Sequence, residues 1–401
     1  MSGQSLRALL LFLGILAAST ALVRPPLMRA VALAMAEKGL DVRVSVAQTV
    51  PHGLLEGVHL HHLKVWCARA GESLPPLFTA SRLRVESGLM GTLLHPARPD
   101  SVACDSFDLR LDFDHPGKLL TFLPRMEGQN PHRPRIRLND WRLTLGQTGR
   151  KDFQVKGREC LLLPQDHGYR LSAEFTDPRY GPWRVDGFME SHPSRLQLTL
   201  VSDSARLHPD DLPDIPFIPK EVWQQVSLRG TARVRVDLDI QPEATRHHLT
   251  LDGEELDIGI PIAGIQAGRV SGQADVDGRV ILLRNLRGSG WGGGLALPES
   301  RLDFDKPIPV LTFRAEGENL RLADLMRQPW AQGFNGLTRM ANLVRGTASG
   351  QVEMAFTLHR PLPAVDINGS GEAGIRGGLQ IHWKVKTEQG RVRFEPFFRA
   401  K

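Results

Sequence analysis

This 401-residue sequence contains few cysteines, and neither sign of charge is in large excess. The three cysteines, Cys67, Cys104 and Cys160, are too few and too scattered for a disulfide framework, and they allow at most one disulfide. The 50 Lys and Arg residues barely outnumber the 44 Asp and Glu residues, and the two signs alternate along the chain. A nucleic-acid-binding protein would carry a basic stripe, so nucleic acid is not an expected partner.

Helical patterns are also scarce. Hydrophobic residues make up 41% of the chain and charged residues 23%, values that exclude a polytopic membrane protein and an acidic disordered chain. Glycine (39) and proline (28) are abundant, which is typical of many turns between short strands and excludes an all-helical fold. Short amphipathic helices are predicted at 118–123, 219–225, 322–327 and 335–343.

A single long uncharged run, 8–23, lies near the start of the sequence. As a helix it would rise about 24 Å, which is less than the roughly 30 Å hydrocarbon core of a bilayer. Residues 1–24 therefore predict either a short, uncleaved membrane anchor or a signal segment, and both place the remaining chain outside the cytoplasm. Residues 25–40 predict an amphipathic helix. The apolar residues of the anchor are Leu9, Leu10, Leu11, Phe12, Leu13, Ile15 and Leu16.

From Asp41 onward, polar and apolar residues alternate with a period of two. In 233–240 every odd position is charged and every even position is aliphatic, which puts the aliphatic side chains on one face of a strand. Such alternation is typical of antiparallel strands with one face in water, and it argues against a Rossmann or barrel enzyme. It recurs at 41–46, 82–85, 108–113, 135–138, 195–200 and 351–356.

The predicted fold is mainly β: an elongated, twisted antiparallel sheet that forms a groove or an open half-barrel, with a few short helices. These helices are too few to cover the aliphatic face of so many strands. A second sheet, closure into a barrel, or an amphipathic ligand in a groove could each cover it. The expected parts are a β-groove at 41–207, a Pro-rich connection at 208–224 and a second β part at 225–401. Tight turns are predicted at Asp252-Gly253, Asp277-Gly278, Asn368-Gly369 and Gln389-Gly390.

Residues that could carry out chemistry do not form a strong motif. The best metal candidate, His59, His61 and His62 with Cys67, lacks a second Cys/His pair, so the histidines are expected on the wet face of a strand. Residues 288–293 satisfy GxGxxG without a βαβ context and predict a turn or bulge. Carboxylate pairs arise on the polar side of any alternating strand. The sequence thus predicts no catalytic residue, metal or cofactor. A further class of function, a carbohydrate-acting β-sandwich, would need carboxylates that converge in one cleft.

The order of these features resembles the AsmA-like superfamily of bacterial envelope proteins. The similar N-terminal features are the anchor, the short helix and the glycine-containing step at 53–60. The resemblance covers residues 5–60 and 225–380. Two features differ from that superfamily. The chain is shorter than its long bridging members, and the pattern at 379–401 predicts another strand where a helical end would be expected. The similar C-terminal segments are 280–286 with 288–294, 313–325, 345–350 and 368–378.

The resemblance implies an inner-membrane, single-pass protein whose bulk lies in the periplasm. It would bind phospholipid and convey it along a hydrophobic β-groove, supporting outer-membrane lipid homeostasis. The alternative is a non-catalytic factor for outer-membrane protein assembly that pairs its sheet edges with an outer-membrane or periplasmic partner. The groove candidates are Leu109, Leu111, Phe113, Leu196, Leu198, Leu200, Val234, Val236, Leu238, Ile240, Val352, Met354 and Phe356.

Overall fold

The structure is a computed structural model, and 78% of the residues it describes lie in β-strands. The predicted anchor and the amphipathic helix that follows it lie outside the described residues. The described residues are 42–52, 57–67, 75–86, 99–114, 117–121, 133–191, 194–218, 220–261, 265–306, 308, 310–327, 346–357, 365–375, 379–388 and 391–399.

Twenty strands, two short α-helices and one 3₁₀ turn make up the described secondary structure. The helices are α1 (Lys220–Gln225) and α2 (Leu322–Met326), and the 3₁₀ turn is Leu212–Asp214. The strands are β1 (Val42–Ser45), β2 (Gln48–His52), β3 (Gly57–Cys67), β4 (Phe78–Glu86), β5 (Ser101–Phe113), β6 (Arg135–Gln147), β7 (Phe153–Gln165), β8 (Gly168–Asp177), β9 (Gly181–Ser191), β10 (Ser194–Leu207), β11 (Ser227–Ile240), β12 (Thr245–Ile260), β13 (Ile265–Asp277), β14 (Val280–Gly290), β15 (Gly293–Asp303), β16 (Val310–Arg321), β17 (Gly346–Thr357), β18 (Val365–Ile375), β19 (Leu379–Glu388) and β20 (Arg391–Arg399).

The chain divides into two compact units. Unit 1 contains residues 1–177, 183–200 and 237–246, and therefore strands β1 to β8. Unit 2 contains 178–182, 201–236 and 247–401, and therefore strands β13 to β20. Strands β9 to β12 contribute residues to both. The prediction of a mainly β, antiparallel fold is confirmed.

The sheet of unit 1 is antiparallel except at one pair of strands. Strand β3 pairs with β1, β2 and β4, and the antiparallel order continues from β4 to β5 and from β6 through β7 to β8. Strands β5 and β6 are parallel, in register from Ser101↔Arg135 to Phe113↔Gln147. A parallel pair needs a long crossover, and residues 114–134 are long enough to supply it.

The prediction of a helix at 118–123 is wrong for 118–121, the part of that segment that the structure describes, because these residues are not helical. Leu119 forms a β-bridge with Phe113, and the backbone N–H of Leu120 donates to the carbonyl of Asp112 at 2.7 Å. This pairing with the end of β5 uses the backbone groups that a helix would need. Of the other predicted helices, those at 219–225 and 322–327 correspond to α1 and α2, and 335–343 lies outside the described residues.

The sheet of unit 2 is an antiparallel meander, in which each strand from β12 to β20 pairs with the next along the chain. Among its described strands β20 pairs only with β19, so this sheet is open. Asp277-Gly278 begins the β13–β14 turn as predicted. The turns predicted at Asp252-Gly253 and Asn368-Gly369 are wrong, because both dipeptides lie inside strands; Gln389-Gly390 lies outside the described residues.

A line of backbone irregularities crosses the strands of unit 1. His62, Ser106 and Asp140 have φ near +50°, and each adds one residue between two apolar positions of its strand. Residues three apart, such as Leu60 and Leu63, therefore share a face. The pairing register between neighbouring strands from β3 to β7 is the same on both sides of the line, so no strand has an extra residue relative to its partner.

Unit 2 has related bulges, and several of the large side chains next to them lie over glycines. Leu256 and Leu320 each follow a residue with positive φ, Glu255 and Asn319 respectively. They fill the space where a Cβ of Gly253 or Gly317 would stand. Leu286 follows Asn285 and covers Gly272 in the same way. These glycines are required because the sheet is bent and leaves no room for another side chain on this face.

The glycine packing predicts the effect of adding one methyl group to β18. A Cβ at Gly371 would lie 2.6 Å from Cζ2 of Trp383 and would also meet the carbonyl of Ser349. We expect Gly371→Ala to lower the free energy of unfolding by about 1–3 kcal/mol through overpacking. The midpoint of urea unfolding, monitored by circular dichroism, measures the change.

Gly374 on the same strand provides the matched control, because no atom lies within 4 Å of the position of its Cβ. Gly374→Ala should change the free energy of unfolding by less than about 0.5 kcal/mol. Equal losses in the two variants would contradict the packing explanation.

Candidate functional site

The pairing register of unit 1 aligns apolar residues into rows that run across the strands. One row crosses the six strands from β3 to β8, and a second row runs beside it. We call the face that carries both rows the apolar face of unit 1. The first row is Leu60, Leu83, Cys104, Leu138, Cys160 and Ala173, and the second is Val58, Val85, Val102, Ile136, Leu162 and Leu171.

Part of this face is a packed core. Val46 on the β1–β2 connection and Val58, Leu63 and Val65 on β3 are all less than 9% exposed and belong to one cluster with Cys104. Phe78 and Phe107 pack against the cluster, with their ring centroids 5.5 Å apart. Unit 1 therefore hides this part of its apolar face with its own side chains.

The opposite face of unit 1 carries paired charges. Arg82 and Asp105 form an ion pair at 2.6 Å, and the Asn139 amide donates to the same carboxylate at 2.9 Å. The hydrogen bond from Asn139, followed by the contacts with Arg82, holds the pKa of Asp105 below its ordinary value. His59 and His61 belong to strand β3 with their rings 6.3 Å apart. No group of three or more potential metal ligands occurs among the described residues.

Unit 2 has apolar rows of the same kind, here called its apolar face. Phe313, Met354 and Ile367 are paired in sequence across β16, β17 and β18. Phe313 and Ile367 are buried, whereas Met354 is half-buried. A parallel row is formed by Ala315, Val352, Gly369, Val385 and Phe394. An aliphatic chain lying across these strands would meet an apolar position at each one.

The predicted groove residues fall into two classes of exposure. Those of the first class are less than 9% exposed and are fixed in packing: Leu111, Phe113, Leu196, Leu198, Val234 and Ile240. Those of the second class are half-buried, so part of each side chain can be reached from solvent: Leu109, Leu200, Val236, Leu238, Val352 and Met354. The side chain of Phe356 lies outside the described residues. A guest molecule could contact the second class without displacing the core.

Sequence spacing gives no sign of one aromatic cluster in the fold. In unit 1, Phe175 meets Trp141 edge-on at 5.8 Å and stacks on Trp183 at 6.3 Å. Trp141 also fills the space beside Gly157, where a Cβ would clash with its ring. These residues come from three strands, β6, β8 and β9, so their spacing in the sequence carried no signal. Trp141 and Phe175 are buried, so the cluster is part of the packing of unit 1.

Carboxylates that resembled a catalytic pair serve to join strands. Asp239 receives two hydrogen bonds from Arg195, at 2.7 Å each, and a third from the Gln241 amide at 3.0 Å. Asp237 accepts a hydrogen bond from the hydroxyl of Thr199 at 2.6 Å. The Arg195 hydrogen bond is the main cause of a lowered pKa at Asp239. An ionised carboxylate with these donors is poorly suited to act as a general acid.

A polar cavity of about 680 Å³ lies against strands β16 to β20 of unit 2. Arg314 donates to the Gln351 side chain at 2.7 Å, and Arg393 pairs with Glu388 at 3.0 Å. Lys386 lies 3.8 Å from the same Glu388. The lining carries nearly as many carboxylates (Glu353, Glu388 and Glu395) as cations (Arg314, Lys384, Lys386 and Arg393), so the cavity offers weak net attraction to an anion. Among the described residues, the apolar faces are the stronger candidate for a binding surface.

Comparison with known proteins gives no relative: no protein-family model, no curated protein and no solved structure matches the chain. Within the described ranges, no helix has both the length and the apolar character needed to cross a membrane. The anchor predicted at 1–24 lies outside those ranges.

The ion pair at Asp239 predicts a pH dependence of stability. Because the folded-state pKa is lowered, this carboxylate stabilises the fold above its ordinary pKa of about 3.9, and the contribution is lost as the pH falls through the folded-state pKa. We expect Asp239→Asn to cost about 1 kcal/mol at pH 7 and progressively less below pH ~4. Urea unfolding at several pH values measures both.

Asp203 provides a control, because its ion pair with Arg233 is long, 3.6 Å, and both side chains are about two-thirds exposed. Asp203→Asn should change stability by less than about 0.5 kcal/mol at every pH. If the free energy of unfolding of Asp239→Asn differs from that of the wild type by the same amount at acidic pH as at pH 7, the stabilising role given to the ionised Asp239 is contradicted.

The two described thiols should be unreactive in the folded protein. Cys104 and Cys160 are free and buried, and Leu138 on β6 lies between them in the same row. Burial raises the pKa of each thiol to about 12, which leaves almost no thiolate at neutral pH. We expect an aromatic disulfide reagent at pH 8 to modify both at least a hundredfold faster in denaturant. Peptide mapping locates the modified residues, and rapid native labelling of either one would contradict this packing.

Proposed function

We propose that this protein binds the acyl chains of phospholipids on the apolar faces of its sheets and conveys them between membranes of a bacterial envelope. The observation that supports this proposal is the in-register alignment of apolar residues across successive strands, with half-buried positions such as Val352 and Met354 along the rows. In this proposal residues 1–24 anchor the chain in the inner membrane and the bulk lies in the periplasm, as the resemblance to AsmA-like proteins implies.

The energetics of such binding require no specific polar site. Removing one CH₂ group from water contributes about 0.8 kcal/mol, so a few methylene groups against an apolar row hold a lipid tail. Neighbouring strands lie about 4.8 Å apart, and a tail that crosses them meets a similar residue at each step. Because successive positions are alike, a tail can move along the sheet without crossing a high barrier. The lipid headgroup stays in water.

The competing proposal is an assembly factor that adds a strand from another protein to a sheet edge. It is favoured by one observation, the outer edge of β20, which has no partner among the described strands. Phe397 on this strand is half exposed. Backbone N–H and C=O groups at such an edge can pair with an extended peptide. This function would require no bound lipid.

A charge placed on the apolar face of β17 tests the lipid proposal. Met354 is half-buried and pairs with Phe313 and Ile367, so Met354→Arg puts a cation in the path of a tail with less damage to packing than at a buried site. We expect at least a fivefold loss of phospholipid that copurifies with the full chain in mild detergent. Quantitative mass spectrometry of the extracted lipid measures it.

Thr347 on the same strand is exposed and points to the opposite face, so Thr347→Arg adds an equal charge as the matched control. This control should keep the lipid content of the wild type, and circular dichroism should show that both variants are folded. Absence of lipid from the wild type, or equal lipid in all three proteins, would refute the proposal. Loss of lipid in Met354→Arg only together with unfolding would indicate an ordinary core.

A further inference from the structure

The connection between β10 and β11 forms a strap, defined here as residues 208–218 and 220–226, that belongs to unit 2. It contains the 3₁₀ turn and α1. Leu212, Ile218 and Val222 are each at most 3% exposed, so the strap buries apolar side chains of its own. A proline-rich linker in water would leave such residues exposed. The strap is therefore a packed part of the protein and not a solvated linker.

One fastening holds the first half of the strap to the turn between β8 and β9. The hydroxyl of Tyr180 donates to the carbonyl of Asp211 at 2.8 Å. Arg179, the preceding residue, lies 3.7 Å from the carboxylate of Asp214. Tyr180 is itself buried, and its carbonyl accepts the N–H of Arg206 at the end of β10. All of these residues belong to unit 2.

A second fastening lies on the apolar face of unit 2. The ring of Phe217 stacks on His247 of β12, with centroids 5.8 Å apart and planes 26° apart. Since alternate residues of a strand share a face, His247 points to the same side as Leu249 and Leu251. Leu249 and Leu251 pair with Val276 and Ala274 of β13, which places them on the apolar face. The strap thus reaches over this face.

The closed position of the strap carries two local costs. Phe217 has φ of +70°, a backbone conformation that is unfavourable for a bulky residue. The indole N–H of Trp223 in α1 is buried without a hydrogen-bond acceptor among the described residues. An unsatisfied buried donor is also unfavourable. Both strains oppose the burial of Leu212, Ile218 and Val222 that holds the strap closed, and both can be relieved when the strap leaves the sheet.

We propose that the strap is a lid on the apolar face of unit 2, fastened at Tyr180–Asp211 and Phe217–His247, and that its release admits the acyl chain of a phospholipid from the side. This inference rests on the proposed function and adds the place of entry. A chain entering here would bypass the ends of the sheet.

Two variants of the full chain, each releasing one fastening, test the lid. Phe217→Ala removes the ring that stacks on His247, and Tyr180→Phe removes only the hydroxyl that donates to Asp211. We expect amide hydrogen exchange in 208–226 to rise at least tenfold in both, with peptides from β13 to β15 unchanged. Uptake of a fluorescent phosphatidylethanolamine from vesicles should become at least threefold faster. Leu163→Ala, which removes an exposed side chain from β7, is the control and should match the wild type.

The two measurements separate the lid from the wider function. If exchange rises together in the strap and in β13 to β15, the strap is a fixed part of the core and the lid is refuted. If the strap opens alone while the uptake rate of a lipid-binding wild type does not change, entry beneath the strap is refuted. If the strap opens alone and no protein takes up lipid, the opening is supported and the lipid function is refuted.

Discussion

The structure depends on keeping apolar residues on one face of each sheet while the strands bend. A strand has a side-chain period of two, so one extra residue would move every later apolar side chain to the wet face. In unit 1 the irregularities at His62, Ser106 and Asp140 lie at one level, and the register on both sides is the same. Because each strand shifts together with its neighbours, the apolar rows pass across the bend without a break.

Alternation in the sequence was enough to predict the class of fold and many of its strands. The interruptions of alternation were harder to predict, because the residues with positive φ include Arg269, Glu255 and Ser106, which have no marked preference for that conformation. Asn285 and Asn319 carried the expected signal, since Asn is enriched there. The role of a glycine was also difficult to predict. Asp252-Gly253 is a dipeptide typical of a turn, but here Gly253 lies inside a strand and leaves space for the side chain of Leu256.

The composition of the candidate surface could be predicted, but its exposure could not. Leu198 and Val236 are both aliphatic residues in the middle of an alternating run, yet Leu198 is buried and Val236 is half-buried. The difference depends on which distant segments pack above each strand, and sequence spacing says nothing about that. The strap is the clearest case, because its prolines predicted a connection while its buried anchors, Leu212, Ile218 and Val222, are visible only after folding.

The division between buried and half-buried residues limits how a guest could be held. A residue such as Leu111 or Ile240, at most 1% exposed, already has its neighbours and gains little from a ligand. A half-buried residue such as Met354 still has surface in contact with water, so a lipid tail there removes area at about 25 cal/mol per Å². Binding would therefore be spread over many weak, similar contacts. A surface of this kind favours movement of its guest over tight and specific retention, which is what conveying a lipid requires.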